Sequence, residues 1–281
     1  MSAASRHSVG GSQEPNGRCL VSLESFVTVD IGNSRVHLGR FENFRAAEAT
    51  SPVSTFSYPT SSIDINGLRD WLNDEELPWF AVSVHRPALA SLEAFSKIEP
   101  RVTSFQAFGY QQLPIDVTLP APEKVGADRL AAAVAANYLR DKNRPAIVVD
   151  AGTAITVDAI STEGKFVGGA ILPGMRTSAK ALASQTDALP QIEIHVEDCP
   201  QAIGTNTTEA MQSGLFWGSV GAVQETIRRV SAQLGSDSSP QIFFSGGDVH
   251  YFAPWMDLEI QTVDHLVLRG VALAAQQHKP S

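Results

Sequence analysis

The chain has 281 residues, 43% of them hydrophobic, enough to bury one large core or two modest ones. Thirty acidic residues against 21 basic ones leave a formal net charge of -9, and no basic run exceeds a pair such as Arg228-Arg229, which argues against a nucleic-acid partner. Cys19 and Cys199 are the only cysteines, with no CxxC and only His195 near the second, so neither a disulfide scaffold nor a zinc site is indicated and a reducing cytoplasm fits. Residues 1–25 are rich in Ser and Gly, include Pro15 and Asn16, and lack the apolar stretch of a signal peptide, so they read as a flexible N-terminal extension. No window approaches ~18 uninterrupted apolar residues, which predicts no membrane span.

From residue 26 onward strands and helices alternate. Phe26 to Asp30 predicts a strand, Ile31 to Ser34 a turn, and Arg35 to Phe41 a second strand with Val36, Leu38 and Phe41 on its apolar side. A helix around Trp71-Leu72, a strand over Trp79 to Val84, a helix over Leu89 to Ile98 and a short strand over Arg101 to Phe105 follow. Pro114, Pro120 and Pro122 make an irregular connector. Beyond them Asp128 to Leu139 predicts an alanine-rich helix with Leu130, Val134 and Leu139 at helical spacing, linking two halves of the chain. The second half restarts with strands at Ala146 to Val149, Ala154 to Ile160 and Phe166 to Leu172. Helices at Thr177 to Ala183 and Glu209 to Val230 come next, the latter with Leu215, Val220, Val223 and Ile227 on one face. A strand at Gln241 to Phe244 and a closing helix at Leu266 to Gln276 complete the pattern, which is α/β.

One pattern occurs twice. Phe26-Val27-Thr28-Val29 leads into Asp30-Ile31-Gly32-Asn33-Ser34, and Ala146-Ile147-Val148-Val149 leads into Asp150-Ala151-Gly152-Thr153-Ala154. A carboxylate at the end of a buried strand can hold a cation, the glycine lets backbone approach a phosphate, and the next residue offers a short polar side chain. Asp-x-Gly alone is an ordinary turn; its repetition half a chain apart is what suggests two loops clamping a nucleotide.

Other stretches carry candidate chemistry. Gly126-Ala127-Asp128-Arg129 sets a carboxylate and a guanidinium side by side at a helix start, where free amides favour anions, although an acidic first-turn residue beside a surface Arg would look the same. Gly168-Gly169-Ala170-Ile171-Leu172-Pro173-Gly174 is a strand with glycines at both ends, equally suited to close packing. Gly204-Thr205-Asn206-Thr207 precedes a helix, so Thr207 or Thr208 can cap it or bind a polar ligand. Ser245-Gly246-Gly247-Asp248 ends a strand where a flat ligand could approach backbone. His37, His85 and His250 lack the context of a hydrolytic triad.

In order, the stretches at 30–34, 126–129, 150–156, 168–174, 204–207 and 245–247 resemble the motif set of the type III pantothenate kinases, within the acetate kinase, sugar kinase, Hsp70 and actin superfamily. The resemblance runs from about Val27 to Ala275. It implies two tandem actin-like, ribonuclease H-like α/β halves with a nucleotide cleft between them: residues 26–127, then the connecting helix and second half at 128–281. It also implies ATP-dependent phosphorylation of the 4'-hydroxyl of pantothenate, the first committed step toward coenzyme A. By position, Asp128 would take the hydroxyl proton. Gly126, Ala127, Arg129 and Thr207 would bind pantothenate, with Arg129 holding its carboxylate or the developing charge. Asp30 would hold Mg2+ with ATP, and Ile31, Gly32, Asn33, Ser34, Gly152 and Thr153 would line the ATP phosphates. Gly246 and Gly247 would lie near the adenosine, and Asp150 would bind a monovalent cation, K+ or NH4+. A cytoplasmic homodimer with no nucleic-acid or membrane partner is implied as well.

The chain departs from the family pattern at two places. His37 stands seven residues after the first Asp, where many relatives have Lys, and Leu119 stands seven residues before Gly126, where a Tyr often faces pantothenate; Pro122 is retained. Two other readings stay open from the residues: a non-catalytic regulatory protein of the same fold, and a superfamily kinase acting on another small acceptor, since fold and phosphate loops do not specify the acceptor.

Overall fold

A computed structural model describes residues 24–45, 49–194, 199–236 and 238–278. Residues 1–23 of the expected N-terminal extension, Cys19 and His195 lie outside them, whereas Ser25, the last residue assigned to that extension, pairs in the first strand. Among the described residues ten strands form two five-stranded sheets, accompanied by seven α-helices. The first sheet contains β1 (Ser25–Ile31), β2 (Arg35–Glu42), β3 (Ser54–Pro59), β4 (Leu77–Ser83) and β5 (Val102–Ala107), in the order β3-β2-β1-β4-β5. The second contains β6 (Ala146–Ala151), β7 (Ala154–Ile160), β8 (Phe166–Pro173), β9 (Gln241–Ser245) and β10 (Ile260–Thr262), in the order β10-β9-β6-β7-β8. Counted within each half, both sheets run 3-2-1-4-5, with the first three strands antiparallel and the last two parallel to the central one.

The central strands explain the repeated sequence pattern. Phe26, Val27, Thr28 and Val29 of β1 are wholly buried, as are Ile147 and Val148 of β6, because each strand has neighbours on both edges and packing on both faces. The predicted strands and helices are all present. The sequence pattern missed β3 and β10: Ser54-Thr55-Phe56-Ser57-Tyr58-Pro59 and Ile260-Gln261-Thr262 are outermost strands whose mixed polar character produces no apolar run.

Helices form three further layers. α1 (Ile65–Leu72) and α2 (Arg86–Ile98) cover the outer face of the first sheet through Leu68, Leu72, Leu92 and Phe95. α5 (Thr207–Leu234) covers the outer face of the second through Phe216, Val220, Val223 and Ile227, with α4 (Met175–Gln185) beside it. Phe216, rather than the half-buried Leu215, fills the first of these positions. α6 (Val249–Phe252) is a single turn after β9.

Between the sheets lie α3 (Ala127–Leu139) and α7 (Leu266–Ala275), packed on each other. α3 touches β4 of the first sheet and β6 and β7 of the second, while α7 returns to β1, β2 and β4. Every residue from Leu130 to Ala136 is buried, so α3 is apolar all round rather than along the single stripe that Leu130, Val134 and Leu139 suggested. Alanines let the helices close in. A Cβ on Gly270 of α7 would sit 1.8 Å from the Ala131 carbonyl oxygen, so only glycine fits at the crossing. Helix propensity by itself predicts that Gly270→Ala stabilises by about 1 kcal/mol. The clash reverses the sign: urea unfolding should show a loss of about 1–3 kcal/mol, and a gain would contradict the close crossing.

Candidate active site

The two Asp-x-Gly loops sit at equivalent ends of the two sheets and are built alike. Gly32 N–H donates to the Arg35 carbonyl at 3.1 Å, closing the β1–β2 turn, and Gly152 N–H donates to the Ala154 carbonyl at 3.0 Å, closing the β6–β7 turn. A threonine beyond the third strand braces each loop: Thr60 Oγ1 donates to the Gly32 carbonyl at 2.9 Å, and Thr177 Oγ1 to the Thr153 carbonyl at 2.6 Å. A backbone amide beyond the fourth strand completes each: Val84 N–H to the Ile31 carbonyl, Asp248 N–H to the Ala151 carbonyl, both at 3.0 Å. The loops meet directly, with Ser34 Oγ 2.7 Å from Thr153 Oγ1.

Five carboxyl groups gather around this meeting point. Asp30 and Asp150 end the central strands, Asp128 lies in the first turn of α3, Asp158 is on β7, and Asp248 follows β9. Burial pushes Asp30 well above the usual carboxylate range, and Asp128 and Asp150 push it further. Burial, aided by Asp128, Asp158 and Asp248, pushes Asp150 up to about 7. Burial also raises Asp128, opposed by the Arg129 amide and guanidinium, and raises Asp158, opposed by its ion pair with Arg129. Two cations are held here: Arg129 by Asp158, and Arg176 of α4 by Asp248 through a 2.6 Å contact. A carboxyl cluster raised by burial and, at Asp30, Asp150 and Asp158, by neighbouring carboxylates is a candidate functional site.

The predicted residues divide by what the structure does with them. Asn33 and Ser34 are exposed on the first loop, and Thr153 is exposed on the second beside the half-buried Gly152. The Ile31 side chain is wholly buried, so only its backbone belongs to the loop. Gly126 is the N-cap residue of α3, Ala127 opens the helix, and the Asp128 carboxyl accepts a hydrogen bond from the Arg129 amide at 2.8 Å. A Cβ on Gly126 would lie 2.5 Å from that carboxyl oxygen. Gly246 has φ of +101°, and a Cβ there would meet the Ala151 carbonyl at 2.3 Å and Asp150 Oδ1 at 2.5 Å; its glycine is dictated by the chain itself, while Gly247 faces open space. Asn206, not Thr207 or Thr208, caps α5 by accepting from the Glu209 amide at 3.0 Å, while Glu209 accepts from the Thr205 amide and hydroxyl. Thr207 is exposed in the first helical turn, its hydroxyl outside that cap. Cys199 is an exposed free thiol.

Sequence reasoning passed over Asp158, Asp248, Arg176, Thr60 and Thr177 as site residues. Asp158 stood inside an apolar strand, Val157-Asp158-Ala159-Ile160, and a lone acid at a position flanked by buried residues was the available signal.

The carboxylates suit cations on physical grounds. Asp30 Oδ1 is buried with no hydrogen-bond partner, an acceptor whose burial is otherwise costly. Among the described residues no three His, Cys, Asp or Glu side chains converge on one metal position, so a cation here would share its shell with phosphate oxygens and water, the usual manner for Mg2+.

Fold and site together define an actin-like α/β protein with two equivalent halves and facing Asp-x-Gly loops. Residues 26–229 match the type III pantothenate kinase family. The type III pantothenate kinase of Dehalococcoides mccartyi (strain CBDB1) is 32% identical over 92% of this chain and 98% of its own length. Those of Parafrankia sp. (strain EAN1pec) and Legionella pneumophila (strain Corby) are 32% and 33% identical, over 90% and 89% of this chain and 98% of theirs. Among solved structures, a putative 2-dehydro-3-deoxygalactonokinase from Sinorhizobium meliloti superposes with a TM-score of 0.52 at 12% identity, covering 89% of this chain and 98% of that one, a likeness of fold. The chain belongs to the type III pantothenate kinase family.

The raised carboxyls give stability a definite pH dependence. Asp150 has a folded-state pKa of about 7 against 3.8 unfolded, so the folded protein binds the extra proton between those values. Its contribution is full below the unfolded value and is lost as pH rises through about 7. In metal-free buffer the melting temperature should fall by about 4 °C or more between roughly pH 5 and pH 8, and Asp150→Asn should flatten that slope. An unchanged slope in the variant would assign the dependence to other groups.

Proposed function

We propose that this chain is a pantothenate kinase that transfers the γ-phosphoryl group of ATP to the 4'-hydroxyl of pantothenate. The observation that carries the reading is the position of Asp128. A carboxyl in the first turn of the helix between the two sheets faces the carboxyls that end both central strands, next to the meeting point of the two phosphate loops. Phosphoryl transfer requires in-line positioning, neutralised phosphate oxygens and an oriented nucleophile, and these elements supply each.

In this mechanism the amides of Asn33, Ser34 and Thr153 and the hydroxyls of Ser34 and Thr153 hold the phosphate chain of ATP, whose phosphates displace the Ser34–Thr153 contact, while Gly32 and Gly152, their own amides closing the turns, let the backbone come close. The Asp128 carboxylate accepts the proton of the 4'-hydroxyl as its oxygen attacks the γ-phosphorus. Burial raises the affinity of Asp128 for that proton, which strengthens it as a base, while the Arg129 charge keeps enough of it ionised. Arg129 holds the substrate carboxylate, and Thr207 is assigned to pantothenate by its place in the motif order. Asp30 would hold Mg2+ and Asp150 a monovalent cation, and such ions neutralise charge on the phosphates when bound. Gly247, which faces open space, suits the approach of the nucleoside. A homodimer and a cytoplasmic location are proposed on the family resemblance.

The test is ADP release by the purified protein with Mg-ATP and K+, with pantothenate present or omitted and with Na+ in place of K+. Turnover that requires pantothenate and K+ is expected. ADP release without pantothenate would indicate a different acceptor, and none under any condition a non-catalytic protein. Asp128→Asn should lower kcat by about 10²–10⁴-fold with ATP affinity retained in a binding titration, and equal turnover would remove Asp128 from the proton transfer.

A further inference from the structure

We propose that Asp158 is a positioning residue, fixing the Arg129 guanidinium for the anionic end of the substrate; the inference rests on the function proposed above. Asp158 lies 29 residues from Arg129 in sequence, on β7, and its side chain is only 1% exposed. Arg129 Nε donates to Asp158 Oδ1 at 3.0 Å and to Oδ2 at 3.2 Å, and Nη2 donates to Oδ1 as well. Arg129 Cζ stands over the Phe166 ring, 5.7 Å from its centroid. The carboxylate on its Nε/Nη2 edge sets the direction of the group, and the ring beneath its charge adds a second contact that holds it there.

Room for this pair is made on purpose by β8. Gly169 sits opposite Asp158 in the β7–β8 register, and a Cβ there would lie 2.5 Å from Asp158 Oδ1 and 2.4 Å from the Val157 carbonyl oxygen. Gly169 therefore has a definite task, which sequence alone left open between packing and ligand contact.

Stability does not account for the pair. Replacing a buried ion pair by apolar side chains of similar size is often neutral or favourable. Asp158 also adds one more carboxylate to a crowded cluster and pushes Asp150 upward. What the pair supplies is geometry. With the side-on Nε/Nη2 edge committed to Asp158, the end-on Nη1/Nη2 edge is the one left to meet a second acceptor, a carboxylate oxygen of the substrate. Arg129 directly follows Asp128, so locking its side chain fixes the anion-binding point relative to the proton acceptor, the separation that an acceptor with a carboxylate at one end and a hydroxyl at the other must match.

The experiment is steady-state kinetics of Asp158→Asn, with circular dichroism to verify the fold. The expected result is a KM for pantothenate raised roughly 10–100-fold while the KM for ATP stays within about twofold. A folded variant with unchanged KM for pantothenate would overturn the proposal. The double variant Arg129→Ala with Asp158→Asn leaves no unpaired buried charge and covers the case in which the single variant fails to fold. Its KM for pantothenate should equal that of Arg129→Ala alone, since Asp158 acts through Arg129; a further tenfold rise would overturn the proposal. Wild-type protein that turns over ATP with another acceptor would instead overturn the parent reading, and this one with it.

Discussion

The backbone contact between α3 and α7 at Ala131 and Gly270 sets the distance between the two sheets. Two helices buried on all sides can lie between two sheets only if their side chains are small where they cross, and Ala131 against Gly270, in a run where only Val134 interrupts the alanines to Ala136, meets that condition. The consequence reaches the active site. Because α3 contacts β4 on one side and β6 and β7 on the other, its first turn stands between the ends of the two sheets. Asp128 is therefore carried to Asp30 and Asp150 by the layer structure itself. The Ser34–Thr153 contact, linking residues 119 apart, is available only at that sheet spacing.

Electrostatics runs against this arrangement. Carboxyls gathered at buried or half-buried positions lose hydration, which raises Asp30, Asp128, Asp150 and Asp158 above their ordinary value, and neighbouring carboxylates add to this at Asp30, Asp150 and Asp158. Arg129 and Arg176 compensate one carboxylate each. The remaining excess suits a site that takes a polyanion together with its cations, since groups arranged for a ligand are left frustrated without it. The glycines around the cluster serve the same end. Gly246 lies against Asp150, Gly169 against Asp158 and Gly126 against Asp128, and in each case a side chain would occupy the space of a carboxyl oxygen.

Much of this was legible in the sequence because it is local. A buried strand followed by Asp, any residue, Gly and a small polar residue is a pattern contained in ten residues, and its two occurrences at Asp30 and Asp150 located equivalent strand ends of equivalent sheets. The alanine-rich run after Asp128 announced a buried connecting helix, though its spacing understated the burial, since helical periodicity cannot reveal packing on every side. Strands β3 and β10 escaped because β3 mixes polar and aromatic residues and β10 has only three residues, so neither carries the apolar run that made the equally outermost β8 legible. Asn206 displaced the threonines as helix cap because its carbonyl oxygen reaches the Glu209 amide while Glu209 turns back to Thr205.

The α/β alternation, the doubled Asp-x-Gly motif and the carboxylates at Asp30, Asp128 and Asp150 are readable from the chain alone, since each is fixed by adjacent residues. Only the tertiary structure decided that Arg129 belongs to Asp158 and Arg176 to Asp248, partners 29 and 72 residues away. It also decided that Gly270 is required by a helix crossing and Gly246 by the Asp150 strand. Those choices depend on which elements touch after folding. The energy of a buried charge or a close backbone approach is a property of the assembled layers, and no window of the chain contains both sides of such a contact.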